Sequence, residues 1–133
     1  MRFVPLAILI FCAAANAEEI TFRTDDGVTL FADWHAGASE QAGTIILFHQ
    51  ARGSARGEYP YITERLNNMG FNVLAVDQRS GGTLFGPGNR TVDALEGKKF
   101  SFCEAWPDLL ASIKAARARS SGALLTWGSS YSA

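Results

Sequence analysis

Two short runs near the start of the chain alternate between apolar and polar residues. They occupy residues 19–24 and 28–34, and a period of two is typical of a half-buried strand. Asp26 and Gly27 lie between them. An Asp-Gly pair between two such runs indicates a tight hairpin, because glycine accepts the positive φ of a primed turn. The pattern therefore predicts an opening antiparallel β-hairpin.

Three later runs are apolar without alternation, and they lie at residues 44–48, 72–76 and 123–127. Such runs suit strands that are buried on both faces of a parallel sheet. Apolar residues at helical spacing separate them, first at residues 59–69 with Met69 on the apolar face, and again from Trp106 onward. The order β-β-β-α-β-α-β predicts an α/β fold, with a mostly parallel sheet, flanking helices and an opening antiparallel β-hairpin.

The first seventeen residues have the organisation of a secretory signal peptide. Arg2 supplies a positive charge, residues 3–15 are almost wholly apolar, and Ala15 and Ala17 form an A-x-A cleavage motif. The apolar run is shorter than the roughly 20 residues that span a bilayer. We therefore expect residues 1–17 to be removed, a secreted or periplasmic location, and no stable membrane span afterwards. An uncleaved signal anchor is the alternative.

Charge and composition bound the function further. The 133 residues carry 12 Lys and Arg against 13 Asp and Glu, so no basic footprint suggests a nucleic-acid partner. Hydrophobic residues make up 47% of the chain, which indicates a folded domain rather than a disordered one. No cysteine or histidine cluster has zinc-ligand spacing. We expect no metal and no organic cofactor, and we expect Cys103 to be buried.

Three polar loops follow the three apolar runs, and in open parallel sheets ligands bind at such carboxyl ends of strands. The last loop, residues 128–132, reads G-S-S-Y-S, which is the G-x-S-x-small pattern of a nucleophile elbow. So tight a turn requires small residues two positions before and after the nucleophile. Around Ser130 these are Gly128 and Ser132, whereas around Ser129 they are a tryptophan and a tyrosine. Ser130 is therefore the candidate catalytic residue.

An elbow serine also needs two backbone N–H groups that face the developing oxyanion. One follows the nucleophile, on Tyr131, and the other belongs to a loop after an earlier strand, which here begins His49-Gln50-Ala51. With these loops, residues 19–133 resemble the α/β-hydrolase family, most of all its serine-esterase and dienelactone-hydrolase branches. The resemblance implies an oxyanion hole from Ala51 and Tyr131, a buried structural His49, and a small-molecule ester or acyl substrate. The family's His-Gly-x reads His-Gln-Ala here, so the N–H of Gln50 is the alternative donor.

The loop after the second of these strands resembles the family's Asp-x-Arg-Gly-x-Gly segment, with Ser80 in place of the first glycine. The resemblance implies that Asp77 and Arg79 are structural residues at the rim of the pocket rather than catalytic ones.

The resemblance also implies a triad in the chain order serine, acid, histidine. Only three residues follow Ser130, so neither partner stands where the family has it. His49 would break that order as a general base, and His35 lies at the end of a strand at the edge of the sheet. We therefore interpret residues 18–133 as the N-terminal half of a serine hydrolase with an incomplete α/β-hydrolase fold. We expect little or no turnover from this chain alone.

Two other classes of function are open. An inactive hydrolase-like domain that serves as a binding or structural module is the principal alternative. A nucleotide-binding α/β domain is the other, and the sequence disfavours it because neither G-x-G-x-x-G nor G-x-x-x-x-G-K-[ST] occurs.

Overall fold

The structure is a computed structural model that describes residues 17–133. The expected signal peptide lies outside the described residues, apart from Ala17. The strands are β1 (Glu18–Arg23), β2 (Thr29–His35), β3 (Thr44–Phe48), β4 (Asn72–Asp77) and β5 (Leu124–Gly128). The helices are α1 (Ala55–Glu58), α2 (Pro60–Asn68), α3 (Arg90–Ala94) and α4 (Trp106–Arg119), and single 3-10 turns occupy Cys103–Ala105 and Ser130–Ser132.

The five strands form one sheet in the order β1-β2-β4-β3-β5. β1 and β2 form the predicted antiparallel hairpin, and Gly27 in its turn has a φ of +90°. β2 also runs antiparallel to β4, whereas β3 is parallel to both β4 and β5. The sheet is therefore mixed. Its parallel half consists of β4, β3 and β5, and the three polar loops follow the carboxyl ends of these strands.

The strands β3 and β4 are buried on both faces, as their continuous apolar runs predict. Ile46 and Phe48 point toward the side covered by α4, and Leu47 points toward α1 and α2. Full burial of one such side chain contributes about 1.5–3 kcal/mol. The two central strands therefore hold the carboxyl-end loops on a rigid base.

The prediction of a third doubly buried strand is wrong for the residues that the structure describes. β5 is the outermost strand and pairs with β3 alone. Leu125 is 50% exposed and Trp127 is 46% exposed, because neither face of this strand is covered within residues 17–133. Apolar composition predicts the capacity for burial, and neighbouring elements decide whether burial occurs.

Two smaller expectations are also corrected. Met69 is exposed because it caps the C-terminus of α2 instead of lying on its inner face. Cys103 is exposed rather than buried. The glycine-rich stretch after β4 contains α3, whose first turn is capped by the side chain of Asn89, which accepts the N–H of Val92 at 2.9 Å. Among residues 17–133, no helix is long and apolar enough to cross a membrane.

Candidate active site

Ser130 lies at the apex of a tight turn directly after β5. Its φ is +59°, in the left-handed region that non-glycine residues seldom occupy, and such a conformation costs about 1–3 kcal/mol. A Cβ on Gly128 would overlap the carbonyl oxygen of Ser132, so the glycine is required by the backbone itself. Ser130 is exposed. The turn therefore presents an exposed serine at the carboxyl end of β5.

The loop after β3 lies beside this turn because both are anchored to one carbonyl group. The oxygen of Phe48 accepts the N–H of Ser129 at 3.2 Å, the hydroxyl of Tyr59 at 2.8 Å and the hydroxyl of Ser132 at 2.8 Å. Phe48 also pairs with Gly128 in the sheet register. The serine turn and the loop that begins at His49 are consequently held together.

The backbone N–H groups near Ser130 are not equivalent. Gln50 donates its N–H to Oε2 of Glu58 at 2.8 Å. The N–H groups of Ala51 and Tyr131 donate no hydrogen bond to any residue within 17–133. Of the two candidate donors in the first loop, Ala51 is thus the one whose N–H is open to a ligand. A pair of such donors beside a serine can stabilise a negative oxygen.

His49 is fully buried, and both of its ring nitrogens are engaged. Nδ1 lies 2.8 Å from the carbonyl oxygen of Gln50 and donates to it, which leaves Nε2 to accept the N–H of Gln78 at 2.9 Å. Burial lowers the pKa of the ring, so it stays neutral. An imidazole held in this way is a structural link between two loops, and it cannot take a proton from Ser130 without losing the Gln78 contact.

The expected position of His35 in an edge strand is wrong, because β2 lies between β1 and β4, and His35 is at the amino-terminal ends of the parallel strands. It pairs with Val73, at the beginning of β4, whereas Ser130 follows the end of β5. Three strand spacings, about 14 Å, also separate β2 from β5 across the sheet. Burial lowers the pKa of His35 as well. Neither histidine among residues 17–133 is therefore placed to act as the base for Ser130.

The two charged residues of the second loop make structural contacts. Asp77 is buried, and its carboxylate accepts the first N–H of α1 at 2.7 Å and Nε of Arg90 at 2.7 Å. Arg79 is also buried and donates Nε to Asp108 at 2.7 Å and Nη1 to Asp26 at 2.6 Å. Asp77 thus fixes the beginning of α1, and Arg79 joins the hairpin turn to α4.

The side chain of Tyr131 contacts Phe102 and Ser80. Its ring stacks on Phe102 with the centroids 4.4 Å apart, and its hydroxyl contacts Oγ of Ser80. Burial raises the pKa of Tyr131. Ser80, which stands where the resembling family has glycine, therefore supports the residue that follows Ser130.

A small open groove of about 350 Å³ adjoins the first loop. It is lined by Gln50, Gly57, Glu58, Pro60, Tyr61 and Phe85. A larger groove of about 700 Å³ lies at the opposite edge of the sheet, beside Asn72 and Ser120. Ligands of open α/β sheets bind at the carboxyl ends of the strands, and of these two grooves only the smaller one adjoins a loop at those ends, although Ser130 is not among its lining residues. Within residues 17–133, no three His, Cys, Asp or Glu side chains are grouped to hold a metal.

Solved structures resemble this arrangement of strands and helices. An esterase from Pyrococcus furiosus matches with a TM-score of 0.66 and 24% identity, over 88% of this chain and 43% of the esterase. An α/β hydrolase from a Penicillium species matches with a TM-score of 0.66 and 20% identity, over 88% and 38% of the two chains. An acylaminoacyl peptidase from Pyrococcus horikoshii matches with a TM-score of 0.59 and 20% identity, over 86% and 19%.

These likenesses show that the described residues have part of the α/β-hydrolase fold, as the resemblance in the sequence implies. The chain spans about two fifths of the length of the Pyrococcus furiosus esterase and of the Penicillium hydrolase. No protein-family model matches the sequence, and a search of curated proteins finds no relative.

Sequence reasoning missed Glu58 and Tyr59. Both touch the serine turn or the loop beside it, through Gln50 and Phe48. Nothing in their spacing indicates this, because the contact depends on the four-residue helix α1 folding back over the loop. Ser54, whose hydroxyl caps α1 by accepting the N–H of Gly57 at 3.0 Å, is the one local signal for that helix.

Proposed function

We propose that this chain carries the nucleophile of a serine hydrolase, which cleaves an ester or a related acyl bond through an acyl-enzyme on Ser130. One observation supports this most directly: the left-handed Ser130 lies in a turn that is hydrogen-bonded to the loop after β3, and the backbone N–H groups of Ala51 in that loop and of Tyr131 bind nothing else among the described residues. A plain serine-rich turn needs neither the strained φ nor a paired set of open donors.

The proposed chemistry follows from this geometry. Oγ of Ser130 attacks the acyl carbon, its proton passes to an imidazole, and the carbonyl oxygen becomes an oxyanion bound by the N–H groups of Ala51 and Tyr131. The imidazolium then protonates the leaving alcohol, and water releases the acyl group by the reverse sequence. Loss of a single oxyanion donor costs about 2.7–4 kcal/mol in the barrier.

The imidazole in this scheme comes from outside the described residues. His49 is committed to Gln50 and Gln78, and His35 lies at the opposite end of the strands from Ser130. The resemblance implies an acid and then a histidine after Ser130 in the chain. We accordingly expect the 133-residue chain by itself to turn over esters slowly or not at all.

The proposed substrate is a small-molecule ester. The groove beside the first loop has two exposed aromatic residues, Tyr61 and Phe85, on its wall, which suit an apolar acyl or alcohol group. Two of the solved structures named above are an esterase and an acylaminoacyl peptidase, and ester and peptide bonds are both acyl bonds. We further propose export to the periplasm or the cell exterior on the basis of the signal-peptide pattern.

The second candidate is an inactive binding or structural module. The position of the two histidines favours it, because neither imidazole within residues 17–133 is placed to act on Ser130. Kinetics of the full-length protein separate the two functions. The hydrolase requires Ser130→Ala to lower kcat for p-nitrophenyl acetate by at least about 10⁴-fold, while Ser129→Ala, which removes a hydroxyl that caps the turn, should keep a kcat well above that of Ser130→Ala. Equal loss in both variants, or no Ser130-dependent hydrolysis, supports the module.

A further inference from the structure

The carboxylate of Glu58 lies over the loop that follows β3. Glu58 is the last residue of α1, and its Oε2 accepts the N–H of Gln50 at 2.8 Å. A Cβ on Gly53 would lie only 3.0 Å from the same oxygen. The carboxylate is therefore packed directly against the backbone of the loop instead of extending into solvent.

The other polar group of Gln50 is engaged as well. Its carbonyl oxygen accepts Nδ1–H of His49 at 2.8 Å and the N–H of Gly53 at 3.0 Å. With the N–H and C=O of Gln50 both bound, the peptide planes on either side of this residue have fixed directions. The next N–H in the chain belongs to Ala51, and it is the one that binds nothing among the described residues.

We infer that Glu58 is a positioning residue: by binding the N–H of Gln50, it holds the loop so that the N–H of Ala51 serves as the oxyanion donor. This inference rests on the proposed function.

The neighbour of Glu58 supports the same loop from the other side. Tyr59 is buried, and burial together with the nearby Glu58 charge raises the pKa of its hydroxyl. The hydroxyl therefore stays protonated and continues to donate to the carbonyl oxygen of Phe48 at 2.8 Å. Glu58 and Tyr59 thus fix two successive parts of the chain, Phe48 and Gln50, which flank His49.

Three substitutions of Glu58 separate the effect of its side-chain length from the effect of its negative charge. Glu58→Gln keeps an oxygen that can accept the N–H of Gln50, while Glu58→Asp keeps the charge but shortens the side chain. Glu58→Ala removes both, and Glu64→Ala, on the exposed face of α2, controls for loss of a surface carboxylate. We expect kcat of the full-length protein to fall about 10- to 100-fold in Glu58→Ala and Glu58→Asp. Glu58→Gln should recover most of the kcat that Glu58→Ala loses, and only Glu64→Ala, outside the site, should match wild type.

Amide hydrogen exchange of the 133-residue chain supplies a readout that needs no turnover. Exchange at Gln50 should accelerate at least tenfold in Glu58→Asp and remain slow in Glu58→Gln. Unchanged exchange in Glu58→Asp, unchanged kcat with only a lower Tm, or a higher kcat in Glu58→Ala would each overturn the inference. A higher kcat would mean that Gln50 is the donor and Glu58 blocks it. Ser130→Ala runs in parallel: if it leaves hydrolysis intact, the proposed function fails, whereas the Glu58 outcomes test the inference alone.

Discussion

Nε2 of His49 accepts the backbone N–H of Gln78 at 2.9 Å and so ties the loop after β3 to the loop after β4. The ring is buried within a network that also contains Asn89, whose Nδ2 lies 3.1 Å from the same nitrogen. A histidine with this role stabilises the site without taking part in proton transfer. Its protonation should therefore be visible in stability rather than in chemistry.

The pH dependence of folding tests that role. Burial lowers the pKa of His49 in the folded protein, whereas an unfolded histidine titrates near 6.5. The unfolded state then binds more protons below that pH, so stability is full above it and is lost as the pH falls. Urea unfolding should show a lower midpoint at pH 5.5 than at pH 7.5. His49→Gln should flatten this dependence more than His35→Gln, since His35 is only half-buried; identical slopes in all three proteins would contradict the assignment.

The buried ion pair between Arg79 and Asp108 should matter more than exposed pairs. The side chains are 1% and 0% exposed, so Arg79→Ala leaves the Asp108 carboxylate buried without a cation. We expect a loss of about 3–5 kcal/mol in the free energy of unfolding. Lys114→Ala, which removes an exposed pair with Asp25, should cost no more than about 1 kcal/mol. Equal effects in denaturant titrations would count against the structural role of Arg79.

Gly128 should tolerate no side chain. A Cβ there would overlap the carbonyl oxygen of Ser132, so Gly128→Ala should shift the serine turn and cost about 1–3 kcal/mol. At Gly43 an added Cβ would meet the ring of Phe71 at 3.4 Å, an ordinary contact distance, which makes Gly43→Ala the matched control. Gly128→Ala should lower both the free energy of unfolding and the extent of fluorophosphonate labelling of the full-length protein, whereas Gly43→Ala should change neither. Normal labelling in that variant would show that the turn does not require glycine.

Export is tested by the mass of the mature protein. Expression of the full-length gene with its own N-terminus should yield a periplasmic or secreted product that begins at Glu18. Ala15→Arg should block processing, because the peptidase requires a small residue there. A mature product that retains residues 1–17 would favour the uncleaved anchor instead.

A feature of the fold or of the candidate site can be predicted from the sequence when it is caused by a few residues that are adjacent in the chain. The hairpin follows from Asp26 and Gly27, and the buried strands β3 and β4 follow from continuous apolar runs. The requirement for Gly128 follows from turn sterics that the G-x-S-x-small pattern already expresses. These features depend on a few adjacent residues, so they can be read from the sequence.

Other features depend on what a segment meets in space. Leu125 and Trp127 have the composition of a buried strand, yet β5 lies at the edge of the sheet. Glu58 reaches Gln50 only because α1 folds back over the loop, and no periodicity marks so short a helix. Which N–H is open, that of Gln50 or that of Ala51, was consequently undecided by the sequence, and only the Glu58 contact distinguishes them.

Covalent trapping of the nucleophile tests the central claim most directly. The full-length protein is treated with a fluorophosphonate, digested, and analysed by mass spectrometry to locate the modified residue. The account predicts a single phosphonylated serine at Ser130, lost in Ser130→Ala and retained in Ser129→Ala. Modification at Ser129, or no modification of residues 128–132 in a protein that still hydrolyses esters, would contradict it.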